Sequence, residues 1–182
     1  MANLRYMISI AKRLQKNYYN QPRIKGLISE LEVRSNLFDE EYVIYNLILG
    51  ESKKTQIDHI VINSRGIFVI ETKNYTGIIT GKDDDKNWIQ IINDNKFYFF
   101  SPVLQNEFHI KIIKNYILED IPIYSIIAFS SKSKLNVKVN KDVIHINELK
   151  ETINKKPDVS VPDQKQKKIY TLLMEQKNKN SW

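Results

Sequence analysis

Apolar and polar positions along this chain recur with two periods, and the changes between them mark its elements. Leu4, Met7, Ile8, Ala11 and Leu14 stand at helical spacing and predict a helix over 4–19. Pro22 can open a second helix to about Phe38, with Leu27, Leu31 and Phe38 on one face. The run 42–49 reads as a strand and Gly50-Glu51-Ser52 as a turn. Two β-rich runs, 56–62 and 67–73, flank Asn63-Ser64-Arg65-Gly66, a hairpin signal, and a second hairpin joins 87–92 to 96–100. Pro102 starts a helix to about Leu118, with Leu104, Phe108, Ile112 and Tyr116 inward. The unbroken apolar run 123–129 predicts a buried strand and 143–146 a short one, after which Asn147 caps a helix to about Ile153. A polar linker holding two prolines spans 155–164, and a basic helix over 163–176 follows. This order predicts an α/β (α+β) fold, a mixed central sheet flanked by helices.

A length of 182 residues fits one domain, and 42% hydrophobic content suffices for a core. The absence of cysteine excludes disulfides and thiolate metal sites and suits a cytoplasmic location. No run approaches the ~20 apolar residues of a membrane span, and the N-terminus lacks the pattern of a signal peptide. Charge divides the chain into three zones. Residues 1–25 hold six basic residues and no acid, 26–131 hold 10 basic and 15 acidic, and 132–182 hold 12 basic and six acidic. An acidic centre between basic flanks suits a cation site that also meets phosphate, or simply solvated lysines.

The pattern Glu/Asp-x-Lys occurs seven times, so alone it says little. Only Glu71-Thr72-Lys73 ends an apolar strand paired with a strand that carries another carboxylate. If Ser64 and Arg65 form the turn tip, Asn63 faces Gly66, Asp58 faces Glu71 and Gln56 faces Lys73. Directly opposed residues share a face with Cβ atoms ~5 Å apart. Two carboxylates and an ammonium then converge beside Ile60, Ile62, Ile67 and Val69. The repulsion between the acids calls for a hard divalent cation, Mg²⁺ or Mn²⁺. The competing reading is a Glu71–Lys73 surface pair, which leaves Asp58 unexplained.

Further residues join this pattern: Gly26-x-x-Ser29-Glu30-x-x-Val33, Gln56-Ile57-Asp58-His59-Ile60-Val61, Gly66 through Asn74, Gly77, Gly81, Trp88 and Pro102-x-x-Gln105. As an ordered set they resemble the nuclease-related domain (NERD), a branch of the PD-(D/E)xK superfamily, over about 26–117. Ser29 departs from the small glycine most often expected there. The resemblance implies a restriction-endonuclease-like core (26–130); a basic N-terminal helical segment (1–25) and a basic C-terminal helical extension packing on the core (131–182) are expected outside it. It implies Mg²⁺ (or Mn²⁺) held by Asp58 and Glu71, with the Thr72 carbonyl and Glu30 as further ligands. Lys73 would orient the attacking water, and Gln105, in the first turn of its helix, would contact phosphate or water. The expected partner is nucleic acid, DNA first, with no membrane and a homodimer as one assembly. A silent nucleic-acid-binding module and an RNase stand as alternatives.

Other candidates read more plainly. His59 falls on the hairpin face away from Asp58, as a packed histidine. His109 sits one turn beyond Gln105, where it could approach the site but reads first as a surface residue, and His145 has no partner at metal spacing, so the three make no zinc site. Asp83-Asp84-Asp85 lacks the glycine and terminal glutamate of a calcium loop. Trp88, Tyr98, Phe99 and Phe100 could stack on bases, yet alternating aromatics of a hairpin more often fill a core.

Overall fold

The computed structural model describes residues 9–10, 22–51 and 53–180. The helix expected over 4–19 lies outside them, apart from helical Ser9 and Ile10. The described elements begin with α1 (Pro22–Asn36), β1 (Tyr42–Leu49), β2 (Thr55–Asn63), β3 (Gly66–Lys73), β4 (Gly77–Lys82), β5 (Asn87–Ile92) and β6 (Asn95–Phe100). They continue with α2 (Pro102–Ile113), β7 (Ile123–Phe129), β8 (Ser133–Lys138), β9 (Asp142–His145), α3 (Leu149–Lys155) and α4 (Asp163–Asn180). The fold is mixed α+β. Its sheets are a five-stranded one, ordered β1-β2-β3-β7-β9, and a four-stranded one, ordered β6-β5-β4-β8. Both mix antiparallel and parallel pairs.

One parallel ribbon joins the sheets. In the first sheet β3 pairs with β7 from Ile67↔Ile123 to Lys73↔Phe129; in the second β4 pairs with β8 from Gly77↔Ser133 to Lys82↔Lys138. The offset is 56 positions in both (123 − 67 and 133 − 77), because residues 74–76 and 130–132 make connections of equal length. The Ser130 N–H donates to the Lys73 carbonyl at 2.9 Å, which ties the two connections together. Neither β4 nor β8 was expected from the sequence. Gly77-Ile78-Ile79-Thr80-Gly81-Lys82 is short and holds two glycines, and Ser133-Lys134-Leu135-Asn136-Val137-Lys138 alternates only two apolar residues with polar ones. Each is stabilised by the other.

The helices bury faces that differ from those expected. On α1 and the turn after it, Leu31, Val33 and Leu37 are buried, while Phe38 is half exposed. On α2 the inward stripe is Val103, Asn106, His109 and Ile113, and Phe108 is 40% exposed, so the helix is rotated from the Leu104/Phe108 face. Its regular part also stops at Ile113, short of Leu118. The reason is polar: Asn106 donates to the Val69 carbonyl at 2.9 Å and to Ser125 Oγ at 2.8 Å, anchoring that stripe to β3 and β7. Before α3 the chain makes a 3₁₀ turn at Ile146–Glu148, where the Glu148 carboxylate accepts from the His145 N–H; the cap is thus not Asn147.

The expected division at residue 130 has β8 and β9 beyond it, inside the two sheets. Residues 156–162 are indeed irregular, and they are tied to the tip of the β2–β3 hairpin. The Val161 N–H donates to the Ser64 carbonyl and the Arg65 guanidinium to the Lys156 carbonyl. Helix α4 runs further than expected, to Asn180, and lays buried Ile169 and Leu173 against β1. Among the described residues no helix is long and apolar enough to cross a membrane.

At the start of α4, Tyr42 Oη donates to Asp163 at 2.9 Å. Burial, and then this carboxylate, push the Tyr42 phenol up from 10.0 to about 12. A folded value above the unfolded one means the contribution is whole below pH 10 and is lost as pH climbs toward 12. Thermal melting followed against pH should therefore fall across that window, and Tyr42→Phe should flatten the fall. An identical slope in the variant would refute the link.

Candidate active site

The β2–β3 hairpin has the expected register at its tip: Asn63 pairs with Gly66, and the ladder runs to His59↔Ile70. There it stops. No ladder pair joins Asp58 to Glu71 or Gln56 to Lys73; Gln56 pairs with Ile48 of β1 and donates its amide to Asn46 Oδ1. The cause is the Asp58 carboxylate itself. Its Oδ2 accepts from the Thr72 N–H at 2.9 Å and from Thr72 Oγ1 at 2.8 Å. A side chain thus takes the position of a ladder carbonyl, and the strands part where the acids lie.

The neighbouring strand bends at the same level. Asn46, mid-strand in β1 and across from Asp58, has φ +52°, a left-handed conformation that asparagine tolerates better than most residues. The inward alternation shifts there by one position. Tyr42 and Ile44 share a core with Leu47 and Leu49, and Ile62 and Ile60 share it with Ile57. Sequence reasoning passed over Asn46, although a lone asparagine inside Tyr-Val-Ile-Tyr-Asn-Leu-Ile-Leu was a signal for such a kink.

Glu71, almost wholly buried, faces α2 and is held from two sides. Lys73 Nζ lies 2.6 Å from Glu71 Oε1 and 3.0 Å from Gln105 Oε1. His109 Nε2 lies 3.2 Å from Glu71 Oε2, and its Nδ1 lies 3.0 Å from Thr55 Oγ1. These partners assign the tautomer: Nε2–H donates to the carboxylate and Nδ1 accepts from the hydroxyl. Sequence reasoning put His109 on the surface, whereas it is 2% exposed. The signal was its position three residues past Asn106 and four past Gln105, on the stripe that α2 turns inward. His59 is packed as expected, buried edge-on to Tyr45, with Nδ1 unpartnered. Burial, with the Arg34 charge, lowers it to about 4, so it is neutral at pH 7.

Electrostatics separate the two acids. Burial and then the Glu71 charge raise the Asp58 carboxyl above its ordinary value, against the Thr72 hydrogen bonds and Lys73. Burial acts to raise Glu71 as well, but the bonds from His109 and Lys73 outweigh it and leave it low. The surroundings of Asp58 therefore disfavour its charged form, and those of Glu71 favour it. Asp58 lies in a cleft of about 250 Å³ with Ser29, Glu30, Asn46, His59, Thr72 and Asn74. Glu30 reaches that cleft as well, its carboxylate paired at 2.8 Å with Arg34.

A mixed sheet that gathers an Asp, a Glu and a Lys at parted strand ends, under a helix bearing Gln and His, defines a nuclease-related α/β protein. The family model of the nuclease-related domain, NERD, matches residues 11–130, and the chain belongs to that family, whose general affiliation is the PD-(D/E)xK superfamily. The match begins ahead of Gly26, the first residue of the motifs in the sequence. An uncharacterized protein of Bacillus anthracis is 36% identical over 160 residues, covering 83% of this chain and 72% of the relative. No solved structure matches the chain. Two glycines of the motifs also have a physical reason. At Gly66 (φ +134°) a Cβ would stand 2.4 Å from the Pro122 carbonyl oxygen, and at Gly81 a Cβ would stand 2.3 Å from the Trp88 ring.

Proposed function

We propose that this protein is a Mg²⁺- or Mn²⁺-dependent nuclease that hydrolyses phosphodiester bonds of DNA. The observation that carries the reading is the Glu71–Lys73–Gln105–His109 network beside the part-buried Asp58 carboxyl, in a chain of the nuclease-related family. The donor set suits a hard divalent cation: Asp58 and Glu71 carboxylates, the Thr72 carbonyl between them in sequence, and Glu30 in the Asp58 cleft. Among the described residues no three His, Asp or Glu side chains form a ready metal cluster, so peptide oxygen and water would complete the shell. Bound there, the cation would supply a polarised phosphoryl oxygen and a more acidic water.

The protein's own groups do the rest. Lys73, fixed by Glu71 and Gln105, orients the attacking water and offsets the negative charge that grows on the phosphoryl oxygens. Gln105, whose Oε1 accepts from Lys73, would contact phosphate or water through its amide. His109 keeps Glu71 in place from below, as a positioning residue.

Labelled single- and double-stranded DNA and RNA, incubated with Mg²⁺ or Mn²⁺, test the reading. DNA cleavage that Asp58→Ala abolishes is the expected result; wild type and variant behaving alike on every substrate would overturn it, and cleavage confined to RNA would reassign the substrate. A second reading, a nucleic-acid-binding module without turnover, draws support from Glu71, since Lys73 and His109 engage both its oxygens. Binding would then survive Asp58→Ala and weaken steeply with salt. Under the nuclease reading, His109→Ala should lower cleavage about ten- to a hundredfold and raise the Mg²⁺ needed for half-maximal rate. It should also cost about 1–3 kcal/mol of stability, since Glu71 and Thr55 lose a buried partner. Unchanged Mg²⁺ dependence would show that His109 only fills space.

A further inference from the structure

We infer that the outward face of the four-stranded sheet is a binding platform for single-stranded nucleic acid, with bases stacking on Tyr98 and Phe100 and the phosphate chain following the lysines. The strand register sets the two faces of this sheet. Trp88 pairs with Phe99, and both turn inward with Ile79, Leu135 and Val137 against Phe129. The alternate positions turn outward: Phe100 beside Asn87, Tyr98 beside Ile89, and Lys96 beside Ile91. Across β4 and β8 the same face continues as Ile78 beside Lys134, Thr80 beside Asn136, and Lys82 beside Lys138.

The aromatic side chains on that face are not core. Tyr98 is 69% exposed and Phe100 50%, and among the described residues nothing covers them. Exposed aromatic rings on a strand are costly unless something stacks on them, and every base offers a ring face. The four outward lysines, Lys82, Lys96, Lys134 and Lys138, are all exposed. The acids near them stand in turns. Asp83, Asp84 and Asp85 lie between β4 and β5, where Asp83 accepts from the Asn140 N–H and Asp85, which also lines the cleft beside Lys82, accepts from the Lys82 N–H at 2.9 Å; Asp94 lies in the β5–β6 turn. A cleft of about 210 Å³ between Lys82 and Lys138 also presents Thr80, Asn87 and Asn136. Rings at one side, amides and ammonium groups at the other, match a chain whose bases and phosphates lie on opposite sides.

A second copy of the same face is a poorer occupant. A two-fold contact would set this lysine-bearing surface against itself. A duplex is poorer too, since its bases stack on each other and leave the rings unused. The face begins one three-residue connection from Lys73. The inference goes beyond the proposed hydrolysis and survives its failure, because binding is measured with no divalent cation present.

The test uses the full chain in EDTA and the fluorescence anisotropy of a labelled oligo-dT about 20 nucleotides long. Wild type should bind it more tightly than a duplex of equal length. Tyr98→Ala with Phe100→Ala should weaken binding at least tenfold. Lys134→Glu with Lys138→Glu should weaken it and lower the slope of log affinity against log salt. Absence of binding by wild type, or full affinity in both double variants, would overturn the inference. So would a self-association, seen by sedimentation, that the aromatic variant abolishes, for the face would then be a protein interface. If the aromatic variant does not fold, the lysine variant decides: an unchanged affinity and salt slope overturn the platform.

Discussion

Glutamine at position 71 is expected to lower DNA cleavage about a thousandfold while leaving the fold recognisable by circular dichroism. One carboxylate here serves three groups: it is a proposed cation ligand, it holds Lys73 at 2.6 Å, and it receives His109 at 3.2 Å. A neutral amide of the same shape cannot balance the ammonium or attract the cation, and loss of a single preorganised electrostatic group costs on the order of a hundred- to a thousandfold. Groups that act as a unit lose more than their separate shares. Because Lys73 retains some access to solvent, it can turn outward, and the stability loss should stay near about 1–3 kcal/mol. Single-turnover rates with Mn²⁺ at saturation, beside thermal melting, make the measurement. A Glu71→Gln protein that keeps a tenth of the wild-type rate would remove Glu71 from the proposed machinery.

The largest effect on stability is expected from Trp88→Ala, at about 3–5 kcal/mol. This is the largest wholly buried side chain, stacked on Phe129 at 6.3 Å between centroids and edge-on to Phe99, with Nε1 donating to the Lys82 carbonyl at 3.1 Å. It joins the second sheet to the end of β7, beside the strand that carries Glu71 and Lys73. Urea unfolding followed by circular dichroism should show a lower midpoint. Its loss should also dampen cleavage, because the connections at 74–76 and 130–132 lose their backing. A loss below about 1 kcal/mol would mean that the site closes around the missing ring.

Much of this architecture was legible because its signals are local. The tight turn at Asn63–Gly66 set the hairpin register, and the unbroken apolar run of β7 announced a strand buried on both faces. What escaped depends on contacts distant in sequence. Strands β4 and β8 are too short and polar to declare themselves: β8 is a strand because β4 lies 56 positions away, and β4 because it lies between β5 and β8. The α2 face was misread because Asn106 and His109, polar residues, are buried by bonds to β3 and β7 rather than by hydrophobicity. At the site, the motif located Glu71, Thr72 and Lys73, but pairing rules assumed an unbroken ladder. They could not foresee that the Asp58 carboxylate would take the Thr72 N–H and that β1 would bend at Asn46.

The ribbon of equal offsets also bears on how the chain is made. Asp58, Glu71 and Lys73 are all synthesised by residue 73, yet the parallel edge of β3 stays open until residues 123–129 emerge to pair with it. In the interval a strand reading Gly-Ile-Phe-Val-Ile-Glu-Thr-Lys presents unpaired backbone, the kind of edge that recruits other chains. Closing a loop of 56 residues for one sheet brings the second into register at no further separation, so both parallel pairings can zip from a single encounter. A nascent chain stalled before Ile123 therefore holds its acids but not their scaffold, and the candidate site is completed late in synthesis.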